Sequence, residues 1–191
     1  MIKYDFTKEW IARDFDYVYS PNSKSYPVFK QEKDCIVNRF DTGLNDYEYI
    51  SILTKQKQKE GVTVSTKCSF DSYGAPLIVF SDDVIDCEDG RKRYRLHFEV
   101  VAFEEGCNVW HIVPFPERTE RPIKPTLIGK ARFPVADGSK IELSTKIEKG
   151  KITVTVNGES FTVTHPEIPG ECHVGITACE GINRFYSLCI E

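Results

Sequence analysis

The run Gly150-Lys-Ile-Thr-Val-Thr-Val-Asn-Gly158, followed by Phe161-Thr-Val-Thr164, constrains this chain more than any other feature. Apolar and polar residues alternate on either side of Asn157-Gly158, which is the period of a half-buried strand. An Asn-Gly pair takes positive φ at both positions with little steric cost, as a two-residue type I′ turn requires. Ile152–Thr164 therefore reads as a tight antiparallel hairpin.

The same grammar runs through the chain from residue 35. Strands are expected at Cys35–Arg39, Tyr47–Thr54, Val62–Phe70, Pro76–Ser81, Arg93–Phe103, Asn108–Val113, Thr126–Phe133, Lys140–Glu148, Ile152–Val156, Phe161–Thr164, His173–Cys179 and Arg184–Ile190. Turn residues separate them: Gly61, Tyr73-Gly74, Asp89-Gly90, Glu105-Gly106, Asp137-Gly138 and Lys149-Gly150. Little repeats at helical spacing, so the pattern predicts an all-β sandwich or barrel. At 191 residues a single domain spanning 1–191 is the simplest organisation. Residues 1–34 are expected to be an irregular segment packed on it. Aromatics at Tyr4, Phe6, Trp10, Phe15, Tyr17, Tyr19, Tyr26 and Phe29 punctuate polar residues there, and Ser20–Pro27 is a turn-rich loop.

Composition narrows the partners. A net charge of −4 argues against a dedicated nucleic-acid surface, which carries a basic excess. No apolar run approaches the roughly 20 residues that span a bilayer, and the amino terminus lacks a secretory signal's apolar core. Seven cysteines, an odd number with no Cys-x-x-Cys pair, are expected to be reduced thiols acting as small hydrophobes. A cytoplasmic location, without nucleic-acid or membrane partners, is the expectation.

Gly150–Gly158, Gly175-Ile-Thr-Ala178 and the closing Arg184-Phe-Tyr-Ser-Leu-Cys-Ile190 resemble the end of concanavalin A-like, laminin-G-like jelly-roll domains. The resemblance extends over about residues 35–191. It implies a two-sheet antiparallel jelly-roll β-sandwich and raises carbohydrate as the partner class, since the superfamily includes carbohydrate-binding modules, lectins, glycan hydrolases and adhesion modules. Its hydrolases carry Glu-x-Asp-x-Glu or Glu-x-Asp-x-x-Glu on one strand. Neither occurs here; Glu32-Lys-Asp34 lacks the second glutamate. No catalytic residue is assigned.

The candidate surface is the strand around Tyr94–Val100. Period-two alternation puts Tyr94, Leu96, Phe98 and Val100 on one face and Arg95, His97 and Glu99 on the other. A guanidinium, an imidazole and a carboxylate in a row supply the donors and acceptors that sugar hydroxyls need. Lys67, from a strand expected alongside, and Asn108 with Trp110 complete the ligand-binding set: Arg95, His97, Glu99, Trp110, Lys67 and Asn108. The indole would offer a flat apolar platform for a pyranose ring. The same residues also read as a cross-strand ion pair on a solvated face with Trp110 in the core. Other functions stay open: an enzyme pairing Glu99 with Glu142 or Glu104, or a protein-interaction module. The acidic run Asp82–Asp89 reads as a solvated loop compensated by Arg91-Lys-Arg93 rather than a calcium site. His97, His111, His165 and His173 show no metal-ligand spacing, and no metal or cofactor is expected.

Overall fold

The alternation closes into two stacked sheets in the computed structural model, which describes residues 1–8, 13–20, 29–39, 49–71, 73–115, 117–118, 120 and 122–191. Trp10, Tyr26, most of the Ser20–Pro27 loop, and Tyr47 with Glu48 at the start of an expected strand lie outside the described residues. The strands are β1 (Ile2–Asp5), β2 (Phe15–Tyr19), β3 (Lys30–Gln31), β4 (Ile36–Arg39), β5 (Ile50–Thr54), β6 (Thr63–Asp71), β7 (Pro76–Ser81), β8 (Val84–Asp86), β9 (Lys92–Tyr94), β10 (His97–Phe103), β11 (Gly106–Pro114), β12 (Ile123–Arg132), β13 (Ile141–Glu148), β14 (Lys151–Val156), β15 (Glu159–Thr164), β16 (His173–Ala178) and β17 (Ile182–Ile190). The structure is an all-β, two-sheet jelly roll.

One sheet has eight strands in the order β15-β14-β13-β6-β17-β4-β3, with β1 also pairing β17. The other has nine, in the order β12-β11-β10-β7-β16-β5-β2-β9-β8. Pairing is antiparallel except between β2 and β9. The expected hairpin forms β14–β15, and its turn residues Asn157 and Gly158 take φ of 49° and 91°.

The main core lies between the sheets. Phe98 and Val100 of β10, Phe80 of β7 and Val109 of β11 meet Phe70 of β6, Leu143 of β13, Val154 of β14 and Phe185 of β17, all fully buried or nearly so. Each such side chain contributes about 1.5–3 kcal/mol on burial. At one edge the sheets come so close that a Cβ on Gly129 of β12 would stand 2.3 Å from the Val163 side chain of β15. Only glycine lets the sandwich close there.

Two departures from the sequence pattern bear on the site. β1, β2 and β3 fall in the stretch expected to be irregular, and β2 extends the nine-stranded sheet beyond β5. The strand expected at Arg93–Phe103 is broken at Arg95-Leu96, where the chain bends. The β7–β8 turn captures the backbone at the break: Ser81 Oγ donates to the Leu96 carbonyl, and the Arg95 N–H donates to the Asp83 carbonyl at 3.4 Å. The bend resets the alternation, so Tyr94 joins the His97 side of the sheet instead of the Phe98 side.

Candidate functional site

Register places the site. On the outer face of the nine-stranded sheet, Val79 of β7, Glu99 of β10, Trp110 of β11 and Leu127 of β12 stand directly opposite one another across four strands. The row two residues along holds Val101 and Asn108, and the row on the other side begins with Ser81 and His97. A β-bulge interrupts β11–β12 at Val109/Trp110, leaving Ile128 as the extra residue between Gly129 and Leu127. Bulges twist a strand and re-aim the neighbouring side chain, here the indole.

The inner end of this face is buried, against the expectation of an open polar groove. His97 has no exposed surface and Glu99 is 6% exposed. Tyr49, at the approach to β5, and Tyr94 come down over His97, with Ser51 of β5 beside Tyr94. The Tyr94 ring stacks on His97 with centroids 4.1 Å apart. A second apolar cluster of Val18, Tyr49, Leu53, Leu77, Val79, Tyr94 and Val101 forms on this side, with Trp110 packed half-buried against it.

Within that cluster the polar atoms are organised. His97 Nε2 lies 2.6 Å from the Tyr49 hydroxyl and 3.2 Å from Glu99 Oε1. Burial, reinforced by the Glu99 charge, pushes the Tyr49 phenol well above its usual pKa, so it remains a donor. Burial does the same to Tyr94. His97 Nδ1 is buried without a hydrogen-bond partner among the described residues, and the buried Tyr94 hydroxyl has only Ser51 Oγ beside it. Unspent polar atoms in a low-dielectric setting are costly and call for an explanation.

The remaining sequence candidates fall in three places. Asn108 shares the Trp110 face, and its Oδ1 accepts from Arg132 Nη1 at 2.9 Å. Arg95 does not join the row: on the bend its side chain is 69% exposed and lies 3.8 Å from Asp83. Lys67 is not a neighbour of His97 at all. β6 belongs to the eight-stranded sheet, where Lys67 pairs with Glu142 of β13 at 3.1 Å. Glu142 is therefore no partner for Glu99. Glu104, beyond the end of β10, lies five residues from Glu99, roughly 15 Å along an extended chain and too far for paired carboxyl chemistry.

A groove of about 700 Å³ lies on the outer face of the eight-stranded sheet beside Lys67, Lys140, Glu142 and Tyr186. Its polar groups are matched: Lys67 with Glu142, the Tyr186 hydroxyl with Ser69 at 3.0 Å, and Lys140 over the Tyr186 ring at 4.3 Å. The groove offers room, whereas the His97 face carries a buried ring nitrogen with no described partner, which is costlier to leave unexplained. In the acidic loop, Asp89 takes a two-pronged contact from Arg93 (2.8 and 3.1 Å) and Asp86 binds Lys92 at 2.8 Å. The Arg93 guanidinium, joined by the Arg91 N–H, holds the Asp89 carboxyl down to about 2.

Tyr49, Tyr94 and Ser51 were not singled out by the sequence. Alternation does place Tyr49, Ser51 and Leu53 on one face, but only the strand order puts that face near β10.

Comparison with known proteins agrees with this architecture. No family model matches the chain, and no curated protein matches it in sequence. Solved structures do match in shape. The carbohydrate-binding module CBM66 from Bacillus subtilis superposes with a TM-score of 0.67 at 13% identity, covering 96% of this chain and 99% of that one. A glycoside hydrolase family 16 endo-glucanase from Bacteroides ovatus gives 0.60 at 9% identity, covering 100% and 99%. An alginate lyase of polysaccharide lyase family 7 gives 0.53 at 9% identity, covering 94% and 95%. At these identities the likeness is one of fold. The chain is a concanavalin A-like jelly-roll β-sandwich.

Proposed function

We propose that the chain binds a glycan on the outer face of β10–β12. Trp110 supplies the stacking platform for a pyranose ring, extended by Leu127, which is 39% exposed. Sugar hydroxyls reach Glu99 on one side of the indole and the Asn108–Arg132 pair on the other. His97 and Tyr49 act from behind, fixing the Glu99 carboxylate. The observation that carries this reading is the row Glu99–Trp110–Leu127, which runs from a buried, hydrogen-bonded carboxylate to a half-exposed aromatic surface. The shared fold with a carbohydrate-binding module and glycan-active enzymes supports the ligand class.

The test is calorimetry against a broad oligosaccharide panel with wild type, Trp110→Ala and Glu99→Gln. Binding by the wild type, weakened at least about tenfold in each variant, is the expected result. A folded wild type that binds no sugar sinks the proposal, as does binding that both variants leave intact.

A catalytic reading rests on a separate observation. Tyr49 Oη and Glu99 Oε1 flank one imidazole nitrogen, an arrangement able to move a proton. Release of new chain ends from a polysaccharide, abolished in His97→Ala and Tyr49→Phe, would favour it over simple binding.

A further inference from the structure

Away from the glycan face, ligand-type side chains from the two sheets meet inside one edge of the sandwich. His111 stands on β11 opposite Phe98 and Thr126, on the core side. His165 and Glu167 lie in the turn that leaves β15. Among the described residues, these form the one set of three metal-ligating side chains whose donor atoms all lie within 4.8 Å of one another. The imidazole rings of His111 and His165 are 4.5 Å apart between centroids. Glu167 Oε2 lies 3.2 Å from His111 Nε2.

A second observation singles this cluster out. His111 is only 7% exposed, yet its Nε2 points into the cluster without a hydrogen-bond partner among the described residues. The nearby Glu167 oxygen satisfies the distance but not the direction of a hydrogen bond.

We propose that His111, His165 and Glu167 bind a divalent transition-metal ion, with zinc the best match, which ties the turn after β15 to β11 of the opposite sheet. Two imidazoles with one carboxylate suit zinc, whereas calcium and magnesium favour all-oxygen sets. A tetrahedral zinc with bonds of about 2.1 Å sets its ligand atoms about 3.4 Å apart. The His111–Glu167 pair is already at that separation. With all three donor atoms within 4.8 Å, His165 has to approach by at most about 1.4 Å, releasing the 3.3 Å hydrogen bond that its Nδ1 accepts from the Glu167 N–H. The turn is otherwise held in place: His165 N–H donates to the Gly150 carbonyl at 3.1 Å and Ile168 N–H to the His165 carbonyl at 3.1 Å. Three protein ligands leave the fourth position to water.

The experiment titrates zinc, and separately cobalt as a spectroscopic reporter, into chelator-stripped full-length protein. Wild type, His165→Ala and Glu167→Gln are compared; both substitutions fall at positions outside the packed core. Wild type is expected to bind a single zinc ion and to melt at a higher temperature with it. Its cobalt form should show tetrahedral visible bands without thiolate charge transfer. Each variant is expected to keep its metal-free melting temperature, to bind at least about tenfold more weakly, and to lose the zinc-induced shift. The proposal is overturned if wild type binds no zinc at micromolar concentration, if both variants bind as tightly as wild type, or if cobalt shows thiolate ligation.

Discussion

The two outer faces of this sandwich are built from the same alternating strands and differ in how their polar groups are used. On the eight-stranded sheet the outward polar residues are paired with one another, most of them open to water: Lys67 with Glu142, the buried Ser69 with Tyr186, and Thr155 with Ser160. On the nine-stranded sheet, His97 and Glu99 are buried beside a second apolar cluster that includes Tyr49 and Tyr94, and His97 Nδ1 has no described partner. The first arrangement is what a solvated surface needs for solubility, because exposed ion pairs contribute little. The second imposes a desolvation penalty that a mere surface would not carry. The contrast is the reason the nine-stranded face, and not the groove, is proposed as the binding surface.

The broadest way to probe the contrast is pH. Burial pushes the thiols of Cys68, Cys107 and Cys172 up to about 12 and that of Cys35 to about 11, and raises the Tyr49 and Tyr94 phenols well above their usual value. An unfolded chain releases thiol protons from about pH 8.5 and phenol protons from about pH 10. The folded state holds more protons across that window, so its stability is intact below about pH 8.5 and falls as pH rises. A loss on the order of several kcal/mol by pH 11 is expected in denaturant titrations. Tyr49→Phe should flatten the part above pH 10; an alkaline limb identical to wild type would show that Tyr49 is not held protonated by its surroundings.

His97→Ala comes next. It removes the ring between Tyr49 and Glu99 and leaves the buried Tyr49 hydroxyl and Glu99 carboxyl without their shared partner, at a cost of about 3 kcal/mol. A cost under about 1 kcal/mol, measured by urea unfolding, would mean the cluster is loosely held. Trp110→Ala should weaken sugar binding by about 2 kcal/mol, roughly thirtyfold, with a smaller effect on melting. Tyr186→Ala on the opposite face should leave binding unchanged, and the reverse pattern would move the site to the other sheet. The smallest effect is expected for Lys67→Ala, about 0.5 kcal/mol or less in stability, as for other exposed pairs. A larger loss would show that the groove beside it is more than a solvated surface.

Much of the fold was legible in the sequence because its information is local. Alternation and Asn157-Gly158 define the β14–β15 hairpin without help from the rest of the chain. Alternation also put His97 with Glu99, and Asn108 with Trp110, on shared faces. Strand order is a non-local property, and there the reading failed. Nothing around Lys67 says that β6 pairs with β13 and β17 rather than β10. Arg95 was misplaced because the bend depends on Ser81 and Asp83, whose grip on residues 95 and 96 leaves no periodic trace. His111 showed no metal spacing for the same reason, since His165 and Glu167 come to it from the turn after β15, far along the chain.

A crystal structure with a bound oligosaccharide tests the central claim most directly. The expected result is a sugar ring stacked on Trp110 between Glu99 and the Asn108–Arg132 pair. Density confined to the groove beside Lys67 and Tyr186, with the indole face bare, would contradict it.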